Sequence, residues 1–156
     1  MSSSRAMLRW ARRRLAELPA IPAPWDIDRF TEVVAEHRGR PIQLLPRMMS
    51  RYASVATGLW IRQADQDLIV YDNSGARLHQ EHVILHELSH MLCGHEGMSL
   101  PVETEEAPRV LHRSAYDTRE ELEAETLAYV IWHAAGVRLV PGRGPVTRLT
   151  GAFEHP

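Results

Sequence analysis

Five consecutive residues, His86-Glu-Leu-Ser-His90, have the types and the spacing to hold a metal ion and to use it. An α-helix turns about 100° per residue, so positions four apart share a face, one turn apart. Two imidazoles placed in that way can aim ring nitrogens at one ion, near the roughly 2.0–2.1 Å that zinc–imidazole bonds require. Glu87 follows the first imidazole directly and is rotated toward the same side. It is placed to accept a proton from a water at the metal rather than to bind the metal itself, which is the reason for this spacing in metal-dependent hydrolysis. Ile84, Leu85, Leu88, Met91 and Leu92 fall on the opposite arc, so one side of the helix is expected in the core and the other along a cleft. The alternative is two partly exposed histidines on an ordinary helix.

A catalytic zinc takes three protein ligands and keeps one position open. Glu96 stands six residues after His90, where the extended HExxHxxGxxH pattern ends, but Cys93 occupies the position that pattern gives to glycine and Gly94 comes one step late. The other candidates lie in Arg119-Glu-Glu-Leu-Glu-Ala-Glu-Thr-Leu-Ala128, whose apolar face is Ala124, Leu127, Ala128, Ile131, Ala134 and Ala135. By angle Glu125 points well away from that face, Glu121 is marginal, and Glu120 and Glu123 are both compatible with it. Helical geometry does not choose between Glu120 and Glu123. A solvated run of acids is the competing reading for all four.

The elements that must position these residues can be read from periodicity. Residues 3–18 form a basic amphipathic pattern stopped by Pro19, and 19–25 is a proline-rich connector. Asp26 is a helix N-cap, Ile27, Phe30, Val33 and Val34 recur at helical spacing, and Gly39 ends that helix. The period then changes to that of strands over 41–46, 58–62 and 67–72, with Asn73-Ser-Gly75 as a turn. A helix is expected from about His79 to Cys93, a loop over 94–115, and a last helix from about Thr118 to Ala135. Two helices, a small sheet and two further helices make an α+β domain. The parts are an N-terminal basic helix and connector (1–25), a core (26–136) and a Gly/Pro-rich tail (137–156). The order of strands in the sheet is not readable from the sequence.

With 156 residues, 44% hydrophobic and 24% charged, the chain has the composition of one globular domain. The single cysteine, Cys93, rules out a disulfide within the chain and points to a reducing, cytoplasmic setting. No apolar run approaches the roughly 20 residues needed to span a bilayer, and the arginine-rich N-terminus lacks the apolar core of a secretory signal. A formal net charge of −2 argues against nucleic acid or an anionic membrane as partner of the whole domain, although Arg5 to Arg14 leave DNA contact as the weakest alternative.

The pair His86-Glu-Leu-Ser-His90-Met-Leu and Glu121-x-Glu123-Ala124-x-x-Leu127-Ala128 resembles the two motifs of the ImmA/IrrE family of metallopeptidases. Looser similarity extends over roughly residues 26–135. The resemblance implies a compact, zincin-like (gluzincin-type) fold with a small sheet bordering the cleft. It implies Zn2+ as cofactor, held by His86, His90 and, as the carboxylate preceding the motif alanine, Glu123. It further implies a cytoplasmic regulatory endopeptidase whose protein substrate is often a helix-turn-helix repressor. Leu127 stands where the family commonly has phenylalanine, and the acidic loop 94–115 is unusual in length.

The expected chemistry is therefore zinc-dependent hydrolysis of a peptide bond with Glu87 as base. Tyr116, just before the last helix, is a candidate to stabilise a developing oxyanion. His79 and His82 read as polar residues at a helix start or as partners behind the ligands. Cys93 reads as a small buried hydrophobe. His95, His112 and Arg113 read as loop residues within possible reach of substrate. The alternative function is a metal-bearing module that binds a transcriptional regulator without cutting it.

Overall fold

Four helices and a four-stranded sheet make up the computed structural model, which describes residues 2–48, 58–99 and 116–137. They are α1 (Ser2–Glu17), α2 (Ile27–Arg38), β1 (Ile42–Arg47), β2 (Gly58–Arg62), β3 (Asp67–Asp72), α3 (Arg77–Cys93), β4 (Met98–Ser99) and α4 (Thr118–Ala134). The chain is thus α+β, as the pattern of periods implies. The tail from residue 138, the loop from 100 to 115, and with it His112 and Arg113, lie outside the described residues.

The helix ends follow local chemistry. The Asp26 carboxylate accepts the Arg29 backbone N–H at 2.9 Å at the start of α2, and Gly39 adopts φ 65° to close it. At the start of α4, Asp117 accepts the N–H groups of Arg119 and Glu120, while the Glu120 carboxylate accepts the Asp117 N–H at 3.1 Å. This reciprocal capping box commits Glu120 to the helix end.

The strand order is β1-β3-β2-β4, with β3 parallel to β1 and antiparallel to β2, and β4 parallel to β2. The two central strands are apolar on both faces. The cross-strand pair Trp60–Ile69 belongs to the main core under the helices, whereas Leu59–Val70 and Ile61–Leu68 form a second buried cluster on the other face. The β4 strand was not expected, since two residues are too few to show a period.

The central helix α3 packs against both β2 and β3 and against α4, and α1 lies along α4. The expectation of one core side and one cleft side for this helix needs correction. Glu87, Ser89 and His90 are buried together with Val83, Ile84, Leu85, Leu88, Met91 and Leu92. Covered by a sheet and a second helix, this part of α3 keeps Glu87, Ser89 and His90 away from bulk water. Each must therefore find a partner inside the fold. Leu88 is fully buried, and truncating it to alanine would cost about 2–5 kcal/mol.

Candidate metal centre

The two imidazoles meet as their spacing requires. His86 and His90 lie one turn apart on α3, their rings near perpendicular at 80°, and their Nε2 atoms 3.1 Å apart. Across from them α4 contributes Glu121. Its Oε2 is 3.2 Å from His86 Nε2 and its Oε1 is 3.7 Å from His90 Nε2. Three donors bound tetrahedrally at 2.0–2.1 Å from one zinc would stand about 3.3–3.4 Å from each other. The separations observed, with Glu121 reaching His86 through Oε2 and His90 through Oε1, lie on either side of that value, so His86, His90 and Glu121 could hold a divalent ion.

Electrostatics point the same way. Burial alone would lower the His86 pKa, but hydrogen bonds with Glu121 and Glu125, and the nearby Glu87 charge, lift it to about 10. His90 is pushed down to about 2, by burial first and then by the imidazoles beside it, His86 foremost. Two nitrogens 3.1 Å apart share one proton, and His86 keeps it. The His86 charge thus sits against the carboxylates of Glu121 and Glu125, where a cation would stand if one bound.

Glu87 projects from α3 toward β2. Burial raises its pKa to about 7, with the Glu121 charge adding to the rise and His86 and the Trp60 backbone N–H opposing it. Its Oε2 is buried without a hydrogen-bond partner among the described residues, an orphan acceptor beside the donor cluster. Gly58 makes this approach possible. A Cβ there would stand 2.4 Å from Val83 Cγ1 and 3.2 Å from Glu87 Oε1.

Behind the cluster lie Glu125, which the sequence does not single out in this role, and His82, for which a place behind the ligands is one of two readings. Glu125 Oε2 accepts the His86 Nδ1–H at 3.1 Å and its Oε1 is 3.3 Å from His82 Nε2. Burial would raise the Glu125 pKa, yet His82 and His86 hold it down at about 2. Glu125 lies off the apolar face, as its angle requires, yet it serves the site. The site lies beside the apolar face of α4, not at its centre, so the arc that serves it is that of Glu121 and Glu125.

Glu123 is placed elsewhere. Its Oε2 is 3.0 Å from His95 Nε2 and its Oε1 accepts the Arg119 Nε–H at 2.9 Å, so the structure does not bring it together with the two Nε2 atoms. Glu121, and not Glu123, is the carboxylate grouped with the two imidazoles. Glu120 is spent on the helix cap, and the Asp117-x-x-Glu120 signature could have removed it from the candidates at the outset.

Tyr116 stacks on His90 with ring centroids 3.6 Å apart and planes 13° from parallel. Burial, followed by the charges of Glu87 and Glu121, keeps its phenol protonated well beyond its ordinary range. His82 faces Glu125 and the Trp132 ring, and His79 lies near Gly75 at the start of α3. Glu96 is exposed. Cys93 packs against the main core, and burial, then the Glu123 charge, pushes its thiol up to about 12, which suits an inert small hydrophobe. No helix among the described residues is long and apolar enough to cross a membrane.

Comparison with protein-family models, with curated proteins and with solved structures finds no match to this chain.

Proposed function

We propose that this chain is a zinc-dependent endopeptidase of ImmA/IrrE type with a zincin-like fold, its metal held by His86, His90 and Glu121. One observation carries the reading: two imidazole nitrogens 3.1 Å apart on one helix face the two oxygens of Glu121 on another, at 3.2 and 3.7 Å, beside a buried carboxylate with an oxygen unsatisfied among the described residues. Two imidazoles, once His86 has given up its extra proton, and a carboxylate suit zinc, and when bound the ion would supply Lewis acidity and acidify water to a pKa of roughly 7.

The remaining work falls to the chain's own residues. Glu87, with a pKa of about 7, is poised to take a proton from the attacking water and to return it to the leaving amine. The Trp60 backbone N–H steadies its carboxylate. Tyr116 braces the His90 ring, which limits the swing of that ligand. Peptide as substrate class draws support from the sheet. β4 pairs only with Ile61 and Arg62, so Gly58 to Trp60 offer an edge without a strand partner among the described residues. An extended segment added there would run beside Glu87. A cytoplasmic protein such as a helix-turn-helix repressor is the substrate that the motif resemblance favours, and a reducing compartment agrees with the free Cys93.

The test compares wild type with Glu87→Gln for zinc content and for cleavage of a fluorogenic peptide library. The variant is expected to retain zinc and to lose cleavage. Full activity in it would end the mechanism. A second reading, a metal-bearing module that binds a regulator without cutting it, draws on the burial of His90 and Glu87. Stable co-elution with an uncut regulator after long incubation with zinc-loaded protein would favour that reading.

A further inference from the structure

An imidazole can offer Nε2 to a cation only if its ring proton sits on Nδ1, so each ligand needs something that holds the proton there. For His86 that partner is Glu125, an ionised carboxylate that can only accept. Among the described residues no carboxylate touches His90 Nδ1, which instead meets His95 Nδ1 at 2.8 Å. One nitrogen of such a pair donates and the other accepts. The far end of His95 decides which, because its Nε2 lies 3.0 Å from Glu123 Oε2. Glu123 accepts there and is held as a carboxylate by the Arg119 Nε–H on its other oxygen. With His95 neutral, its one ring proton is therefore on Nε2 and its Nδ1 lone pair is bare, so His90 Nδ1 donates to it. His90 Nε2 is left unprotonated toward His86 Nε2 and Glu121.

Resting on the metal-centre reading above, we propose that His95 and Glu123 are positioning residues that set the tautomer of His90 through a Glu123–His95–His90 chain. The backbone builds this chain on purpose-made geometry. Gly94 turns at φ 79° directly after α3, and the His95 N–H bonds back to the His90 carbonyl at 3.1 Å. That turn throws the His95 ring over His90. The side chains of His95 and Glu123 are only 7% and 15% exposed, which keeps water from competing for the two links. Glycine one step later than in the extended HExxHxxGxxH pattern thus delivers a second-row imidazole in place of a third ligand.

The test uses the full chain with zinc alone, titrated against a chromophoric chelator, and ring-nitrogen NMR of the 15N-labelled metal-free protein. In wild type, His90 should carry its proton on Nδ1. His95→Leu should yield a mixture of His90 tautomers and weaken zinc binding by about 10- to 100-fold. His95→Gln, whose amide oxygen can accept in place of the ring nitrogen, should recover most of that loss. Glu123→Gln, which keeps the side-chain volume, should weaken binding in the same direction and guards against a folding defect in His95→Leu. Equal zinc affinity in wild type and in both the His95→Leu and Glu123→Gln variants would overturn the assignment and leave the metal centre standing. Weaker binding with an unchanged His90 proton position would also overturn it, since packing alone would explain that. A wild-type chain that binds no zinc would sink the metal centre and this chain of bonds together.

Discussion

Replacing Glu87 with glutamine should make the metal-free protein more stable, and increasingly so as pH rises. The Glu87 carboxyl is buried and lifted from its ordinary 4.5 to about 7. Its folded pKa therefore lies above its unfolded one, and the folded state binds that proton more tightly. The resulting stability is fully present below pH 4.5 and is lost as pH climbs through 7. Each pH unit in that window is worth about 1.4 kcal/mol, so roughly 3 kcal/mol has gone by pH 8. Glutamine does not ionise and escapes the loss. Its carbonyl can still accept the Trp60 N–H, and its amino group adds only an offset that does not vary with pH. His86, with a pKa of about 10, stays protonated throughout and does not confuse the comparison. At about 2–4 °C per kcal/mol for a chain of this size, the variant's excess melting temperature should grow by roughly 6–12 °C between pH 4.5 and pH 8. Thermal melts of both proteins in chelator across that range would measure it. Melting curves that stay parallel from pH 4.5 to 8 would refute the account of Glu87 as a destabilised buried acid. Saturating zinc should shrink the gap, because a nearby cation restores the carboxylate.

Three further outcomes follow from the geometry. Glu121→Ala should weaken zinc binding more than Glu123→Ala does, as a chelator competition will report; the reverse order would return Glu123 to the ligand set that the motif resemblance implies. Gly58→Ala should lower the urea midpoint by the equivalent of about 1–3 kcal/mol, because its new methyl group meets Val83 Cγ1 at 2.4 Å, and it should impair cleavage by displacing Glu87. Asp67→Ala should cost about 3 kcal/mol or more in urea denaturation, since Asp67 is fully buried between Arg38 at 3.0 Å and Arg40 at 3.2 Å and its loss strands two half-buried guanidinium groups. A loss below about 1 kcal/mol there would mean that water already screens the pair.

Whatever local chemistry determines was legible in the sequence. Asp26 and Gly39 bracket α2 because capping involves only neighbours along the chain, and β2 and β3 show their bounds because apolar runs end at polar turns. The sheet order was not legible. The parallel β1–β3 pairing joins Ile42 to Asp67 across the whole of β2, and no local pattern encodes that choice. The same divide runs through the site. His86, Glu87 and His90 share one stretch of helix and could be read directly. Their partners could not, because Glu121, Glu125 and His95 reach them only through the docking of α4 and the turn at Gly94.

That docking explains why four acids within six residues have four separate tasks instead of forming a solvated run. Positions 121 and 125 differ by about 40° around the helix, so both can face α3. Positions 121 and 123 differ by about 200°, so no single rotation of α4 lets both reach the Nε2 pair. The choice between them is made by the residues that seat the helix. Ala124, Leu127, Ala128 and Ile131 are buried against the core and fix the rotation, and the two alanines let α4 come close to α3. Once that face is seated, Glu121 meets the imidazoles, Glu125 backs His86, Glu123 turns to His95 and Arg119, and Glu120 closes the cap. The identity of the third donor is thus a consequence of hydrophobic packing on the neighbouring arc of the helix, and a motif match in the acids alone does not contain it.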